Sequence, residues 1–206
     1  MTQPPALRIV FEDAHLVVVD KPFGLPSQGT RDRTVAHVVS RLEVDRAYVG
    51  LHHWLDTPTS GLMVLTVSRD ANTGLAAAFR AGRVLRGYRA VVLGDPGASG
   101  RWTEALDGKA AVTRWTRLAT AAGMAVLDVA LETGRTHQIR RHAAGALHPV
   151  VGDRRHGGAV GSAWRRLALH ARTLAFPHPV SGDALAFECP VPEDLRALVA
   201  RAGLRG

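Results

Sequence analysis

Short apolar runs separated by turn residues dominate the hydrophobic pattern of the chain, which is typical of β-strands. Leu7 to Phe11 and Leu16 to Asp20 flank the turn-prone Glu12-Asp13-Ala14 and predict a hairpin. Gly94 to Gly97 predicts a turn between two elements of a sheet. Six later runs predict further strands: Leu62 to Val67, Arg83 to Leu93, Thr113 to Leu118, Met124 to Leu131, Leu167 to Phe176 and Ala184 to Glu188.

Helical spacing of apolar residues is found in only three segments. Thr34 is a candidate N-cap for a short helix whose apolar face carries Val35, Val38, Val39 and Leu42. Asp70 to Arg80 predicts a second helix, and Thr136 is expected to cap a third that runs through Ala146. Strands outnumber helices and do not alternate with them regularly. We therefore expect an α+β fold with a mixed, mostly antiparallel sheet and flanking helices.

Composition places the chain among globular proteins that work in a reducing compartment. It has 206 residues, of which 46% are hydrophobic, and a single cysteine, Cys189. This length favours one domain, since domains commonly hold about 100 to 200 residues. The chain contains no apolar run of membrane-spanning length, and Met1 to Arg8 lacks the features of a signal peptide. We expect a cytoplasmic protein that does not bind membranes.

Positive charge is the first indication of a partner. The formal net charge is +8, and Lys21 and Lys109 are the only lysines. Coding bias explains an arginine excess, but so does phosphate binding, because a guanidinium makes bidentate contacts. Arg135 to Arg172 holds eight arginines and one acid, Asp153, which gives +7. A solvated basic face is the plain interpretation, and nucleic-acid binding is the favoured one. Gly157 to Ser162 predicts a mobile, RNA-contacting loop within this region.

Three segments contain candidate chemistry. His53 to Leu62 is a polar loop with one carboxylate, Asp56, which leads into a strand; an Asx turn would also explain that aspartate. Glu132 to His142 places arginines at the start of a helix, where cations oppose the helix dipole and call for an anion. Arg86-Gly87-Tyr88 puts a tyrosine among β-formers, a position equally suited to an ordinary strand residue.

Together these segments resemble the RluA family of RNA pseudouridine synthases. The similarity lies in Asp56 with Thr59-Ser60-Gly61, in Arg86-Gly87-Tyr88, and in Gly134 to Arg140. It extends to Lys21-Pro22 and to shorter matches around Asp153, His170 and His178, and covers roughly residues 7 to 192. The resemblance implies one pseudouridine synthase catalytic domain over residues 1–206, without an added S4-like RNA-binding domain.

The resemblance also implies a role for each matched residue. Asp56 would initiate the reaction at the ribose, Arg140 would pair with Asp56, and Tyr88 would stack on the uracil. The RNA-binding residues would be Trp54, Arg135, His137 and Arg141. The expected substrate is a specific uridine of tRNA or rRNA, the reaction needs no cofactor and no metal, and we expect a monomer.

Two positions depart from the family pattern. Trp54 stands where the family usually has an arginine that helps to displace the target base, and Gly87 stands where many members have a basic residue. A tryptophan can stack on bases but cannot contact phosphate electrostatically. Arg141 and His156 resemble the tRNA-acting TruC-like branch more than the large-subunit rRNA branch.

Two other interpretations compete with the enzyme. A non-catalytic RNA-binding module would keep the fold and lose base flipping through Trp54, although Asp56, Tyr88 and Arg140 are all retained. A metal-dependent nuclease would need histidine ligands, either His137 with His142 or His52 with His53. Neither pair has the i, i+4 spacing of ligands on one helix face.

Overall fold

The computed structural model describes residues 6–29, 36–161 and 164–204. The strands are β1 (Arg8–Glu12), β2 (Leu16–Lys21), β3 (Gly50–Leu51), β4 (Ser60–Thr66), β5 (Leu85–Leu93), β6 (Ser99–Trp102), β7 (Thr113–Ala121), β8 (Met124–Leu131), β9 (Leu169–Pro177) and β10 (Ala184–Glu188). The helices are α1 (Val38–Leu42), α2 (Asp70–Arg80), α3 (Gln138–Gly145), α4 (Gly158–Gly161) and α5 (Glu193–Arg201). In the described ranges, no helix is long and apolar enough to span a bilayer.

The chain forms two compact units. The first comprises Met1–Leu85 with Thr173–Cys189, and the second comprises Arg86–Arg172 with Pro190–Gly206. The chain therefore passes from one unit to the other three times, within β5, within β9 and just after β10. Compactness alone does not make either unit an independently folding domain, so the single catalytic domain stays a prediction.

The first unit is built on antiparallel strands with one apolar core. β2 pairs with β1 on one side and β4 on the other, β3 pairs with β4, and β10 pairs with β9. Every residue of β4 is buried, which explains why Leu62 to Val67 is almost continuously apolar. The core combines β2, β4 and α2 through residues such as Val18, Val64 and Leu75.

The second unit also consists of antiparallel strand pairs. β8 pairs with β5 and β7, and β6 pairs with β7. Gly100 of β6 faces Trp115 of β7, and a Cβ at Gly100 would lie 2.6 Å from the indole Cζ2. The indole therefore needs a glycine opposite it. Because this requirement comes from a residue on another strand, the hydrophobic pattern did not predict β6. The predicted fold class, with a mostly antiparallel sheet and a few helices, is confirmed.

Helix starts are where the sequence-based predictions differ most from the structure. The N-cap of α1 is His37, whose Nδ1 accepts from the Ser40 amide at 3.1 Å; Thr34 and Val35 lie outside the described residues. Thr136 does not cap α3, because the N-cap is His137 in a left-handed conformation with φ 54°. The helix starts instead through the Gln138 side chain, described below.

The glycine-rich stretch is partly helical. Gly158–Gly161 forms the single turn α4, so these residues are helical where the sequence predicts a mobile, RNA-contacting loop over Gly157 to Ser162; the RNA contact stays a prediction. Ser162 lies outside the described residues. α5, which the hydrophobic pattern did not reveal, buries Leu195, Leu198 and Val199.

Candidate functional site

Asp56 lies in the loop between β3 and β4 of the first unit. Its backbone carbonyl accepts from the Thr59 amide at 2.8 Å, so a backbone hydrogen bond closes the turn that carries the carboxylate. Gly61 follows with φ 114°, a conformation that favours glycine, and pairs with Lys21 in the β2–β4 register. The motif Thr59-Ser60-Gly61 therefore shapes the entry into β4. Asp56 itself is half-buried.

Ser27 fixes the residue just before Asp56. Its hydroxyl donates to the carbonyl of Leu55 at 2.7 Å and accepts from the amide of Leu55 at 3.1 Å. Ser27 and Leu55 are both buried, so neither backbone group can exchange its partner for bulk water. One side chain thus satisfies both backbone groups of Leu55.

Lys21 fixes the residue just after Asp56. The fully buried Nζ donates to the carbonyls of Leu25 at 2.7 Å, Pro22 at 3.1 Å and Thr57 at 3.3 Å. The Thr57 carbonyl also accepts from the Gly24 amide at 3.0 Å. The backbone on both sides of Asp56 is therefore tied to the segment after β2, which is the physical role of the Lys21-Pro22 match.

Trp54 points its large side chain towards solvent in the same loop. It is 54% exposed, whereas its neighbours His53 and Leu55 are buried. The His53 Nε2 accepts from the Val64 amide at 3.0 Å, and its ring packs on Phe79 with the centroids 5.0 Å apart. The loop thus holds its flanking residues in the core and presents Trp54 outward.

Tyr88 lies on β5 in the second unit and is 7% exposed. The neighbouring Arg86 donates from Nη2 to the Thr133 carbonyl at 3.3 Å. A Cβ on Gly134 would lie 2.9 Å from the Arg86 Nη1, so this glycine makes room for the guanidinium. Arg86 therefore links the tyrosine motif to the arginine motif.

Gln138 organises the start of α3. Its Oε1 accepts from the Arg135 amide at 3.0 Å and from the Thr133 hydroxyl at 2.7 Å. Its Nε2 donates to the Val112 carbonyl and the Thr113 hydroxyl, each at 3.0 Å. A buried amide thus replaces the threonine cap that the sequence predicted. It also fixes the helix turn that precedes Arg140.

Arg140 is buried and forms a bidentate ion pair with Asp153. Its Nε donates to Oδ2 and its Nη2 to Oδ1, both at 2.8 Å. Arg140 is 5% exposed and Asp153 is 1% exposed. Burial alone would raise the pKa of Asp153, but the hydrogen bonds from the guanidinium and from two backbone amides outweigh it. The pKa therefore lies below its usual value. Asp153 fixes the plane of the guanidinium.

A histidine pair lies beside this ion pair. The His137 Nδ1 and the His156 Nε2 are 2.8 Å apart, so one of the two nitrogens carries the shared proton. Burial is the largest cause that lowers the pKa of His156; the nearby Arg140 adds to the effect, and Asp153 opposes it. The pair supports the left-handed residue at which α3 begins.

Acids outside the basic segment neutralise part of its charge. Arg141 donates to both oxygens of Asp107 at 2.8 and 3.0 Å, and this hydrogen bonding lowers the pKa of Asp107. Arg166 donates to Asp194 of α5 at 2.6 Å. The Arg140–Asp153 pair is already counted in +7, so +7 overstates the positive charge of this segment by the two outside acids, Asp107 and Asp194.

The candidate site residues fall into two groups. Trp54 and Asp56 share one loop of the first unit. The predicted pairing of Asp56 with Arg140 involves both units and stays a prediction. Tyr88, Arg135, His137, Arg140 and Arg141 all belong to the second unit.

Sequence reasoning assigned no role to three residues that shape these groups: Ser27, Gln138 and Asp153. Only Asp153 had a recognisable signal, because it is the single acid among the arginines of the basic segment. An isolated carboxylate in such a segment is a natural partner for one of them. Gln138 lies inside the matched motif Gly134 to Arg140, but its contacts with Val112 and Thr113, like those of Ser27 with Leu55, join distant parts of the chain and have no local signature.

The histidines proposed as metal ligands have other partners. The His142 nitrogens lie 2.9 Å from the Thr113 hydroxyl and 2.9 Å from the Glu104 carbonyl. His53 accepts from a backbone amide, and the His52 Nε2 lies 3.1 Å from the Asn72 Oδ1. Among the residues described, no three His, Cys, Asp or Glu side chains cluster as metal ligands would. The nuclease interpretation therefore has no support in the geometry.

Comparison with known proteins gives consistent matches. A family described as RNA pseudouridylate synthase matches residues 15–145. Two relatives named Ribosomal large subunit pseudouridine synthase D are similar over most of the chain. The one from Xanthomonas campestris is 36% identical over 94% of this chain and 68% of its own length, and the one from Pseudomonas aeruginosa is 37% identical over 94% and 71%. The solved structure of Human RNA Pseudouridylate Synthase Domain Containing 4 has a TM-score of 0.80 at 24% identity and covers 97% of this chain and 94% of its own.

Proposed function

The chain belongs to the RluA family of RNA pseudouridine synthases, and from this premise we propose that it isomerises a uridine of large-subunit ribosomal RNA, with Asp56 initiating the reaction. The enzyme class follows from the family. The choice of RNA is supported by the names of the relatives, which are ribosomal large subunit enzymes. Large-subunit ribosomal RNA thus replaces tRNA, the substrate of the TruC-like branch, as the favoured substrate. We expect the protein to act in the cytoplasm.

Asp56 is proposed as the initiating group because of how its loop is held. Isomerisation breaks the bond between uracil N1 and ribose C1′, rotates the base and rejoins it through C5. A carboxylate starts this either by attacking C1′ or by removing the proton from C2′. The observation that supports the assignment is the clamp on its neighbours: Ser27 satisfies both backbone groups of Leu55, and Lys21 binds the Thr57 carbonyl. A loop fixed on both sides lets the carboxylate meet the ribose without reorganisation.

Arg140 is proposed to keep the Asp56 carboxylate ionised. A guanidinium near a partly desolvated carboxylate favours the charged form, which is the form that both routes require. Tyr88 is proposed to stack on the uracil while it rotates, since its ring lies on a buried strand and is itself mostly buried.

Base flipping sets the energetic demand on the RNA-binding residues. Extruding a uridine costs a few kcal/mol in a helix and less in a loop. Arg135 is proposed to bind phosphate and thereby offset this cost, and the solvent-exposed Trp54 is proposed to occupy the space that the base leaves. His137 and Arg141 complete the proposed RNA surface. Arg141 then has to exchange or share its carboxylate partner, Asp107, when phosphate binds.

The experiment that tests the substrate compares two RNAs. Large-subunit ribosomal RNA and total tRNA, both lacking pseudouridine and tritiated at uracil C5, are incubated with the protein, and the modified position is mapped by carbodiimide labelling and primer extension. We expect tritium release and one mapped position in ribosomal RNA only. Release from tRNA alone would overturn the choice of RNA and restore the TruC-like branch.

A non-catalytic RNA-binding module is the second candidate, and Trp54 is the observation that favours it. The two candidates differ in turnover and agree in binding. If the protein binds both RNAs but releases no tritium from either over a long incubation, the module explains the data and the enzyme proposal fails. Release at any specific position excludes the module.

A further inference from the structure

A pocket of about 400 Å³ with polar and apolar lining lies in the first unit, and His52 of the loop that carries Asp56 forms part of its wall. It is lined by the segment that follows α1, by β3 and by one face of α2. We call it the Tyr48 pocket, and the residues that define it are Tyr48, His52, Asn72, Thr73, Ala76 and Arg80. Its volume is within the range of sites that bind small organic ligands, about 300 to 1,000 Å³.

The wall of the Tyr48 pocket is preorganised by hydrogen bonds. The Asn72 amide nitrogen donates to the Tyr48 hydroxyl, and the Asn72 Oδ1 accepts from the Thr66 hydroxyl at 2.5 Å. Gly50 lies beneath this network, and a Cβ there would lie 2.7 Å from Asn72 Oδ1 and 2.9 Å from the Tyr48 hydroxyl. Because the Tyr48 hydroxyl accepts from Asn72, its own proton remains available for an acceptor on a ligand.

The network also determines the tautomer of His52. Its Nε2 lies 3.1 Å from the Asn72 Oδ1 and 3.2 Å from the Thr66 hydroxyl oxygen. Thr66 already donates to Asn72, so both oxygens act as acceptors towards the imidazole and Nε2 carries the proton. Burial lowers the pKa of His52, which keeps the ring neutral near pH 7. Its Nδ1 is then a hydrogen-bond acceptor. The pocket thus combines donors, an acceptor and an aromatic ring.

Positive charge lies at the rim of the pocket. Among the described residues that line it, only Arg80 carries a formal charge, and this exposed guanidinium has no acidic partner in the described part of the chain. A second exposed guanidinium, that of Arg69, stacks on the Tyr48 ring 4.8 Å from its centroid. The rim therefore favours an anionic group such as a phosphate.

The position of the pocket along the chain links it to Asp56. His52 precedes Asp56 by four residues, and a fully extended chain spans at most about 3.6 Å per residue. Their Cα atoms are therefore no more than roughly 14 Å apart. This bound is compatible with a ligand in the pocket and a ribose at Asp56 belonging to the same RNA strand.

We propose that the Tyr48 pocket binds one nucleotide of the substrate RNA that flanks the target uridine, with the base against Tyr48 and His52 and the phosphate on Arg80. The proposal rests on the proposed function, because it takes RNA as the substrate. An aromatic ring beside directional donors and acceptors suits a nucleobase, and the rim guanidinium suits the phosphate attached to it. The pocket then selects the sequence or shape of the RNA around the target.

The test uses two variants that alter the pocket differently. Arg80→Ala removes the rim charge, and Ala76→Phe fills the pocket without changing charge. Binding to large-subunit ribosomal RNA is measured by fluorescence anisotropy at several salt concentrations. We expect each variant to weaken binding 3- to 10-fold, and Arg80→Ala to reduce the slope of log affinity against log salt by about 0.7. The KM should rise in step, while kcat changes less than twofold.

Arg201→Ala is the matched control, since Arg201 is also exposed and has no acidic partner in the described part of the chain. Equal weakening by Arg80→Ala and Arg201→Ala, with no effect of Ala76→Phe, would reduce the pocket to a general charge effect and overturn the proposal. Circular dichroism melts of all variants separate pocket effects from misfolding. If Ala76→Phe does not fold, Thr73→Val, which changes only the hydrogen-bonding capacity of the rim, replaces it under the same criterion.

A further arm distinguishes RNA from a free nucleotide. Uridine 5′-monophosphate at millimolar concentration is added to the wild type and to Arg80→Ala, and the melting temperature is recorded. Strong stabilisation of the wild type, combined with RNA binding that is insensitive to both variants, would assign the pocket to a free nucleotide and overturn the RNA source. Failure of the proposed function has a different signature, since it abolishes tritium release without changing how the variants rank in binding.

Discussion

Asp153 and Arg140 form a buried ion pair with demanding geometry. Removing two charges from water is costly, and only excellent geometry compensates for it. Here each of two guanidinium nitrogens donates to a separate carboxylate oxygen at 2.8 Å, and the amides of Arg155 and His156 donate to Oδ1 at 3.0 Å. Asp153 thus fixes the orientation of the Arg140 guanidinium, and we propose it as a positioning residue.

Replacing Asp153 by asparagine tests this role. Removing one partner of a buried pair costs about 3 to 5 kcal/mol, so Asp153→Asn should lower the free energy of unfolding by about 3 kcal/mol, as measured in urea. We also expect kcat to fall at least tenfold, with RNA affinity changed less than threefold. Unchanged kcat in a folded variant would contradict the positioning role.

The same variant has a distinct pH signature. Because the folded pKa of Asp153 is lowered, its contribution to stability is fully present above the unfolded value, near 3.8, and is lost as the pH falls below it. The stability difference between wild type and Asp153→Asn should therefore shrink as the pH falls below about 4.

Trp54 allows a prediction about base displacement. Trp54→Ala should lower kcat/KM about 5- to 100-fold, because stacking on a base contributes about 1 to 3 kcal/mol. The melting temperature should stay within about 2 °C, since the side chain is 54% exposed. Trp54→Arg, which restores the family's usual residue, is the matched variant and should retain activity. Full activity of Trp54→Ala would refute a role for the indole in base flipping.

At the scale of elements, the local hydrophobic pattern predicts a strand or helix correctly where the element packs one apolar face on the core. The β1–β2 hairpin, α2 and β10 were predicted to within a residue or two, because apolar runs and turn residues coincide there. β6 was missed because Gly100 belongs to a strand only through its contact with the Trp115 ring. α5 was missed although Pro192, Glu193 and Asp194 form a favourable N-terminal turn.

The candidate site was predictable only at the level of its motifs. Asp56, Tyr88 and Arg140 were identified by resemblance, and their local settings agree with ordered motifs. The start of α3 was assigned to Thr136, whereas Gln138 makes the decisive hydrogen bonds to residues 20 to 30 positions earlier in the chain. Contacts at such separation have no signature in a local pattern.

The segment between α3 and α4 provides an element-scale prediction. Gly152 has φ 79°, and a Cβ there would overlap the backbone carbonyl of Arg166. Gly152→Ala should therefore cost about 3 kcal/mol or more and lower the melting temperature by about 6 to 12 °C.

Gly145→Ala is the control for that variant. Gly145 lies in α3, and a methyl group added there would meet no heavy atom within 4 Å, so alanine should be neutral or slightly stabilising. A Gly152→Ala protein as stable as the Gly145→Ala protein would show that the segment presenting Asp153 tolerates displacement.

At the scale of the whole molecule, the folded chain pairs part of the positive charge of the basic segment with acidic side chains. Three arginines of the basic segment form ion pairs with acids. Two of these acids, Asp107 and Asp194, lie outside the segment. Four of its arginines have no acidic partner within the described ranges, and these are available for phosphate: Arg135, Arg154, Arg155 and Arg165. The net charge of +8 thus supports RNA binding through a few residues rather than a uniformly basic face.

This distribution predicts the salt dependence of RNA binding. Four phosphate contacts from this segment and the proposed contact of Arg80 give a slope of about −3.5 for single-stranded RNA, so affinity should fall roughly 130-fold between 50 and 200 mM salt. Filter binding over that range measures it. An affinity that does not change with salt would show that the arginines do not contact phosphates. A slope near −5 would show that arginines paired with acids also leave those partners and contact phosphates.

The central claim is that Asp56 initiates isomerisation, and tritium release from uracil C5 tests it most directly. Pseudouridine formation must expel the hydrogen at C5, so release reports the reaction itself. The wild type, Asp56→Asn and the control Asp45→Asn, an exposed acid of the same unit, are compared on large-subunit ribosomal RNA. We predict release by the wild type and by Asp45→Asn, and none by Asp56→Asn, which should still bind RNA within threefold. Release by Asp56→Asn at the wild-type rate would contradict the assignment.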